Sequence, residues 1–99
     1  MASGVINVGN PNPDAPVWGP TVQLTNYTSA SNMYTAPRNG MIGVRLSGGK
    51  TGSVLIYDTN GQIFLRMGQS AGAYVTYCPK GMKMWVEGAV DAAYFVELT

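Results

Sequence analysis

A chain of 99 residues that is 45% hydrophobic and only 11% charged is one domain with material for one core. Its charged fraction is less than half of the ~25% usual in soluble domains, and with a net charge of +1 this excludes a disordered chain. Its six basic residues, Arg38, Arg45, Lys50, Arg66, Lys80 and Lys83, are scattered, so nucleic acid is not an expected partner.

Met1-Ala2-Ser3-Gly4 has neither a basic n-region nor an apolar h-region, which predicts no secretory signal. After Val5-Ile6-Asn7-Val8 comes Gly9-Asn10-Pro11-Asn12-Pro13-Asp14-Ala15-Pro16. Its three prolines in six residues exclude a helix or a central strand. Residues 1–16 are therefore read as an extended arm or linker, and residues 17–99 as the folded domain.

From there the chain is a run of short strands with turn signals at fairly even spacing. The expected strands are Val17–Thr25, Met33–Thr35, Met41–Leu46, Ser53–Asp58, Gln62–Met67, Ala73–Cys78, Lys83–Glu87 and Ala93–Leu98. Val, Ile, Tyr, Phe, Trp and Thr dominate them, as suits a pleated, half-buried surface. No 11-residue window keeps a helical apolar period without glycine or proline. The predicted fold is an all-β antiparallel sandwich, jelly-roll-like, of about eight short strands and almost no helix. No apolar run approaches the ~18 residues of a membrane span.

Two turns carry a mechanism. In Pro37-Arg38-Asn39-Gly40, proline presets φ for a type I turn, and asparagine and glycine follow where turning or left-handed geometry is easy. Asn60-Gly61 is the signature of a two-residue hairpin. It pairs Thr59 with Gln62, Tyr57 with Phe64, Ile56 with Leu65 and Val54 with Met67. One face then holds Val54, Ile56, Ile63, Leu65 and Met67, which should be core. The other holds Leu55, Tyr57, Phe64 and Arg66. It is too apolar for a solvated face, and no helix is available to cover it. These four residues are the expected subunit interface, covered by another copy. In the last two strands Met84 and Val86, and Tyr94, Val96 and Leu98, are expected to look inward, leaving Trp85 outward.

Catalytic chemistry finds little to work with. The chain has no histidine, which removes the commonest general base and metal ligand and every Ser-His or Cys-His pair. Cys78 is the only cysteine, so there is no internal disulfide. Pro79 follows it and no base is near in sequence, so it reads as a buried structural thiol. Asp14, Asp58, Glu87, Asp91 and Glu97 are single and widely spaced. A glycosidase-like carboxylate pair would have to assemble in space from them. No spacing matches a zinc or calcium site. Ser47-Gly48-Gly49-Lys50-Thr51-Gly52 echoes part of a phosphate-binding loop. The first glycine of that loop is missing, with Val44 and Arg45 in its region, and a strand follows where a helix is needed. No catalytic residue, cofactor or metal is expected. Trp18, Tyr74 and Trp85, with Tyr57 and Phe64, are the candidates for ligand-contacting aromatics.

Tyr34-Thr35-Ala36-Pro37-Arg38-Asn39-Gly40-Met41-Ile42 resembles the Y-x-A-P-x-x-G lead-in to a strand in small jelly-roll head domains of phage tail fibres and other virion appendages. It is similar also to the trimeric jelly rolls of the tumour-necrosis-factor and complement-component-q type. Cys78-Pro79-Lys80-Gly81-Met82-Lys83-Met84-Trp85-Val86 resembles their P-K-G-x-x-V-x-V strand, with Met82 where aspartate is usual. Ala93–Leu98 resembles their closing strand. The resemblance implies a homotrimer in a virion, assembled in the host cytoplasm. It also implies attachment to a larger virion assembly through residues 1–16 and a binding or capping role at the tip, with no catalytic residues. The expected function is a virion structural and adhesion module, a phage fibre head or a capsid or tail decoration. The alternative is a monomeric carbohydrate-binding domain that contacts a cell-surface glycan through Trp85 and its neighbours. A small hydrolase built on Glu87 and Asp91 is a third.

Overall fold

The structure, a computed structural model, describes residues 18–98. The expected arm at residues 1–16 lies outside them, as does the side chain of Trp18. The strands are β1 (Trp18–Gln23), β2 (Tyr34–Thr35), β3 (Gly40–Leu46), β4 (Ser53–Tyr57), β5 (Ile63–Gly68), β6 (Gly72–Cys78), β7 (Lys83–Glu87) and β8 (Ala92–Leu98). A single 3-10 turn, Leu24–Asn26, follows β1. All eight expected strands form, and their ends move by one or two residues.

The protein is an all-β sandwich of two four-stranded antiparallel sheets, ordered β1-β8-β3-β6 and β2-β7-β4-β5. The pairing is nested: β4 pairs with β5 at the centre of the chain, β3 with β6, β2 with β7 and β1 with β8. Among the described residues no helix is long and apolar enough to cross a membrane.

Alternation along β3 and β4 supplies the core. Ile42, Val44 and Leu46 turn inward from one sheet to meet Val54, Ile56, Met67, Met84 and Val86 from the other, with Leu24, Ala36, Cys78, Met82, Ala93 and Phe95 filling the remainder. Tyr27 and Tyr34 stack edge to face at 5.2 Å, and Tyr34 reaches the Phe95 ring at 5.6 Å.

Two expectations about side-chain faces fail. In β8 the inward residues are Ala93 and Phe95, both fully buried, whereas Tyr94 is exposed and Val96 and Leu98 are half-buried. The cause is register. Val44 stands opposite Ala93 and Ile42 opposite Phe95, and directly paired residues share a face. The core alternation of β3 therefore dictates that of β8.

The β4–β5 hairpin also departs from its expected geometry. The Gly61 N–H donates to the Asp58 carbonyl, and the Asp58 N–H to the Gln62 carbonyl, closing a loop of Thr59, Asn60 and Gly61. Gly61 has φ +81 and Asn60 stays at negative φ, so the loop is a type I turn followed by a left-handed glycine rather than a two-residue turn. The Asp58 carboxylate fixes it by accepting the N–H groups of Asn60 and Gln62 at 2.9 and 3.0 Å. Tyr57 consequently pairs with Ile63, and Phe64 becomes the extra residue of a bulge, after which Ile56 meets Leu65 and Val54 meets Met67 as expected. The expected Tyr57–Phe64 pair does not form. Ile63 leaves the core face for the outer one, where it is 51% exposed.

Candidate functional site

The described acids are each taken up by a neighbour. Asp58 holds its turn. Glu87 pairs with Arg66, Glu97 with Arg38 at 3.5 Å, and Asp91 with Lys50 while also accepting from the Ser47 hydroxyl at 3.3 Å. The hydrogen bond from Lys50 is the main reason the Asp91 carboxyl lies below its usual range. Among the described residues no three His, Cys, Asp or Glu side chains gather into a metal-binding group. Cys78 is buried, and burial pushes its thiol up to about 11, which keeps it protonated and unreactive at neutral pH. The Ser47–Gly52 segment is the β3–β4 connection, a turn closed by the Lys50 N–H on the Ser47 carbonyl, and β4 follows it directly.

What the molecule offers instead is two outward sheet faces. On the β2-β7-β4-β5 sheet, Leu55 sits in a row between Trp85 on β7 and Arg66 on β5. It is only 2% exposed although it points away from the core. Its cover comes from its own chain. The Trp85 indole N–H donates to the Tyr57 hydroxyl at 3.3 Å, and Arg66 reaches diagonally across the strands to Glu87. Leu55 is therefore buried within its own chain, between its cross-strand neighbours Trp85 and Arg66. Phe64 stays uncovered, 68% exposed at the bulge.

The aromatic candidates divide in the same way. Trp85 lies outward as expected but is half-buried beside Tyr57. Tyr74 is half-buried against the core, and its hydroxyl donates to the Ser70 carbonyl at 3.0 Å, which ties down the β5–β6 turn. The backbone of Trp18 opens β1 opposite Leu98.

The outer face of the β1-β8-β3-β6 sheet exposes Val75, Tyr77 and Tyr94. One row across it is Gln23, Tyr94, Gly43 and Val75, and the next is Thr21, Val96, Met41 and Tyr77. Val75 is 66% exposed and Tyr77 52%. Gly43 lacks a side chain between Tyr94 and Val75, and beside it a shallow recess of about 230 Å³ opens over the Ala92-Arg45-Ala73 row, lined also by Gly43, Val44, Tyr74 and Tyr94. Reading the sequence missed this face because it turned Tyr94 and Val96 inward. The signal that was available is β3 itself, where Gly43 and Arg45 alternate with Ile42, Val44 and Leu46 and so mark the outward side.

No family model matches the sequence, and no match was found among curated proteins or solved structures.

Proposed function

We propose that this chain is a non-catalytic structural and adhesion module of a phage particle, a fibre head or a capsid or tail decoration, that works by self-association and attachment. The observation that carries the reading is the outer face of the β1-β8-β3-β6 sheet, where Met41, Val75, Tyr77, Tyr94 and Val96 line up in two rows without a charge, and Arg45 stands in the next row between Ala92 and Ala73. Such a face on a chain with 11% charged residues favours burial against another chain. The nested pairing of β1 with β8 through β4 with β5 is that of a long hairpin rolled on itself, and we read it as the jelly roll that the virion resemblance implies. The homotrimer belongs to the same reading. Residues 1–16, ahead of β1, are the segment available for docking to a larger assembly.

Relative to the sequence-based interface, the contact moves. Leu55 is already covered within the chain, so Phe64 and Ile63 are what that side contributes, and the main apolar contact lies on the opposite sheet. The glycan reading loses support because Trp85 and Tyr74 are each engaged inside the chain. Mass in solution by light scattering tests the proposal: oligomers at micromolar concentration are expected, and a clean monomer would overturn it.

A further inference from the structure

A two-sheet sandwich has four edge strands, here β1 and β6 in one sheet and β2 and β5 in the other. Exposed edges invite pairing with other chains, and folded proteins usually guard them with proline, charge, bulges or short length. Three of these edges are guarded. β1 contains Pro20 and a register irregularity between Trp18 and Thr21. β2 is two residues long. β5 carries the Phe64 bulge and the exposed Arg66. β6 has none of these devices. Its seven residues, Gly72–Cys78, include no charge and no proline, and its ladder to β3 runs without interruption from Gly40↔Cys78 to Leu46↔Gly72.

The groups that β6 leaves unpaired can be identified from β3. The Asn39 carbonyl accepts from the Leu98 N–H at 2.9 Å, and the Arg45 carbonyl from the Asp91 N–H at 2.9 Å. Odd-numbered residues of β3 therefore direct their backbone groups toward β8, and even-numbered ones toward β6. Ile42 and Val44 thus exchange bonds with Thr76 and Tyr74. On β6 the N–H and C=O groups of Ala73, Val75 and Tyr77 consequently point off the edge of the sheet. Among the described residues only the Thr76 hydroxyl, 3.3 Å from the Tyr77 carbonyl, approaches any of them. All three side chains are exposed on the outer face.

We propose that β6 pairs antiparallel with β6 of a second copy, about a two-fold axis at Val75. In this register Val75 faces the partner's Val75, and Ala73 faces the partner's Tyr77. Each free residue then meets a free residue, in three pairs that each exchange two bonds. The fit is self-complementary in three respects. No charge meets a like charge, the smallest outward side chain stands opposite the largest, and β-branched valines meet at the axis. A contact that uses one patch on both copies is the isologous kind that closes a dimer. The apolar rows of the outer face then continue from one copy into the next. This inference rests on the self-association reading only in taking another copy as the partner. Acting on a trimer, it joins two of them.

The test is mass by light scattering on the full chain at micromolar concentration, for wild type, Val75→Pro and Val75→Lys, with circular dichroism as the check on folding. Val75→Pro removes the N–H nearest the axis and leaves the β3 ladder untouched. Val75→Lys places two like charges face to face. The expected result is an even number of chains in wild type and a two-fold drop in mass in both variants. Should Val75→Pro unfold, Ala73→Pro, which removes another off-edge N–H and leaves the two apolar rows of the outer face intact, takes its place. A mass unchanged in folded Val75→Lys overturns β6 pairing. A trimer indifferent to both substitutions overturns it while leaving the proposed function standing. A monomeric wild type overturns both.

Discussion

The ring of Phe95 fills the space in front of Gly40. A Cβ added to Gly40 would stand 2.5 Å from the Phe95 ring and 2.4 Å from the Val96 carbonyl oxygen. The most buried aromatic of the core and the first residue of β3 therefore determine each other. Gly40→Ala is expected to destabilise the fold by about 2–3 kcal/mol, as overpacking of a full site does. At ~4–8 °C per kcal/mol for a domain of this size, thermal unfolding should report a drop of ~10 °C or more. Gly43→Ala is the control. Its nearest neighbour would be 3.9 Å away, so it should change stability by no more than about 0.5–1 kcal/mol. Equal effects at both positions would contradict the steric account.

Trp85 stands directly across from Leu55 on the outer face of the second sheet. Trp85→Ala is expected to expose Leu55 and leave the Tyr57 hydroxyl without its donor, at a cost of about 2–3 kcal/mol. Trp85→Phe should recover most of it, since the ring matters more than one bond of 3.3 Å. Urea unfolding of the three proteins measures the order. A wild-type-like Trp85→Ala would mean that Leu55 is covered by something else.

Cys78 sets an alkaline limit. Its thiol is buried and pushed up to about 11 by burial, above the ~8.5 of an exposed cysteine. A raised pKa of this kind contributes stability that is complete below the unfolded value and is lost as pH rises through the folded one. Alkylation of the native protein should therefore be slow at pH 8 and become fast on unfolding. Stability should decline between about pH 9 and 11, and less so in Cys78→Ala. Rapid labelling of the native protein at pH 8 would contradict the burial of this thiol.

Gln69 is the one non-glycine residue with positive φ among those described, at 82°, and its N–H donates to the Gly52 carbonyl at 2.8 Å. A side chain in that region costs about 1–2 kcal/mol that glycine avoids. Gln69→Gly is expected to leave stability unchanged or raise it by up to about 1 kcal/mol, because added chain entropy offsets part of the relief. Gly68→Ala, at φ +121 with its Cβ 2.9 Å from the Gly52 carbonyl, should cost about 2 kcal/mol or more. Denaturant midpoints of the pair check the opposite signs.

The sequence by itself determined the all-β class, the eight strands and the inward sets of β4 and β7. These depend on local signals, namely alternation within a strand and turn residues between strands. Cys78 was legible as a structural thiol for the same reason. Tertiary structure decided whatever depended on neighbours distant in the chain. The inward face of β8 follows from its place beside β3, since Phe95 opposite Ile42 overrides the apparent apolarity of Tyr94, Val96 and Leu98. Ile63 turned outward because the three-residue loop and the Phe64 bulge each shift the register by one, and between the two shifts the faces are exchanged. Gly40 was read as a turn glycine, yet its φ is not left-handed and its smallness answers to Phe95, 55 positions along the chain. The apolar outer face around Val75 and Tyr77 emerged only once β8, β3 and β6 were side by side, because a surface patch is a property of strand order and not of any single strand.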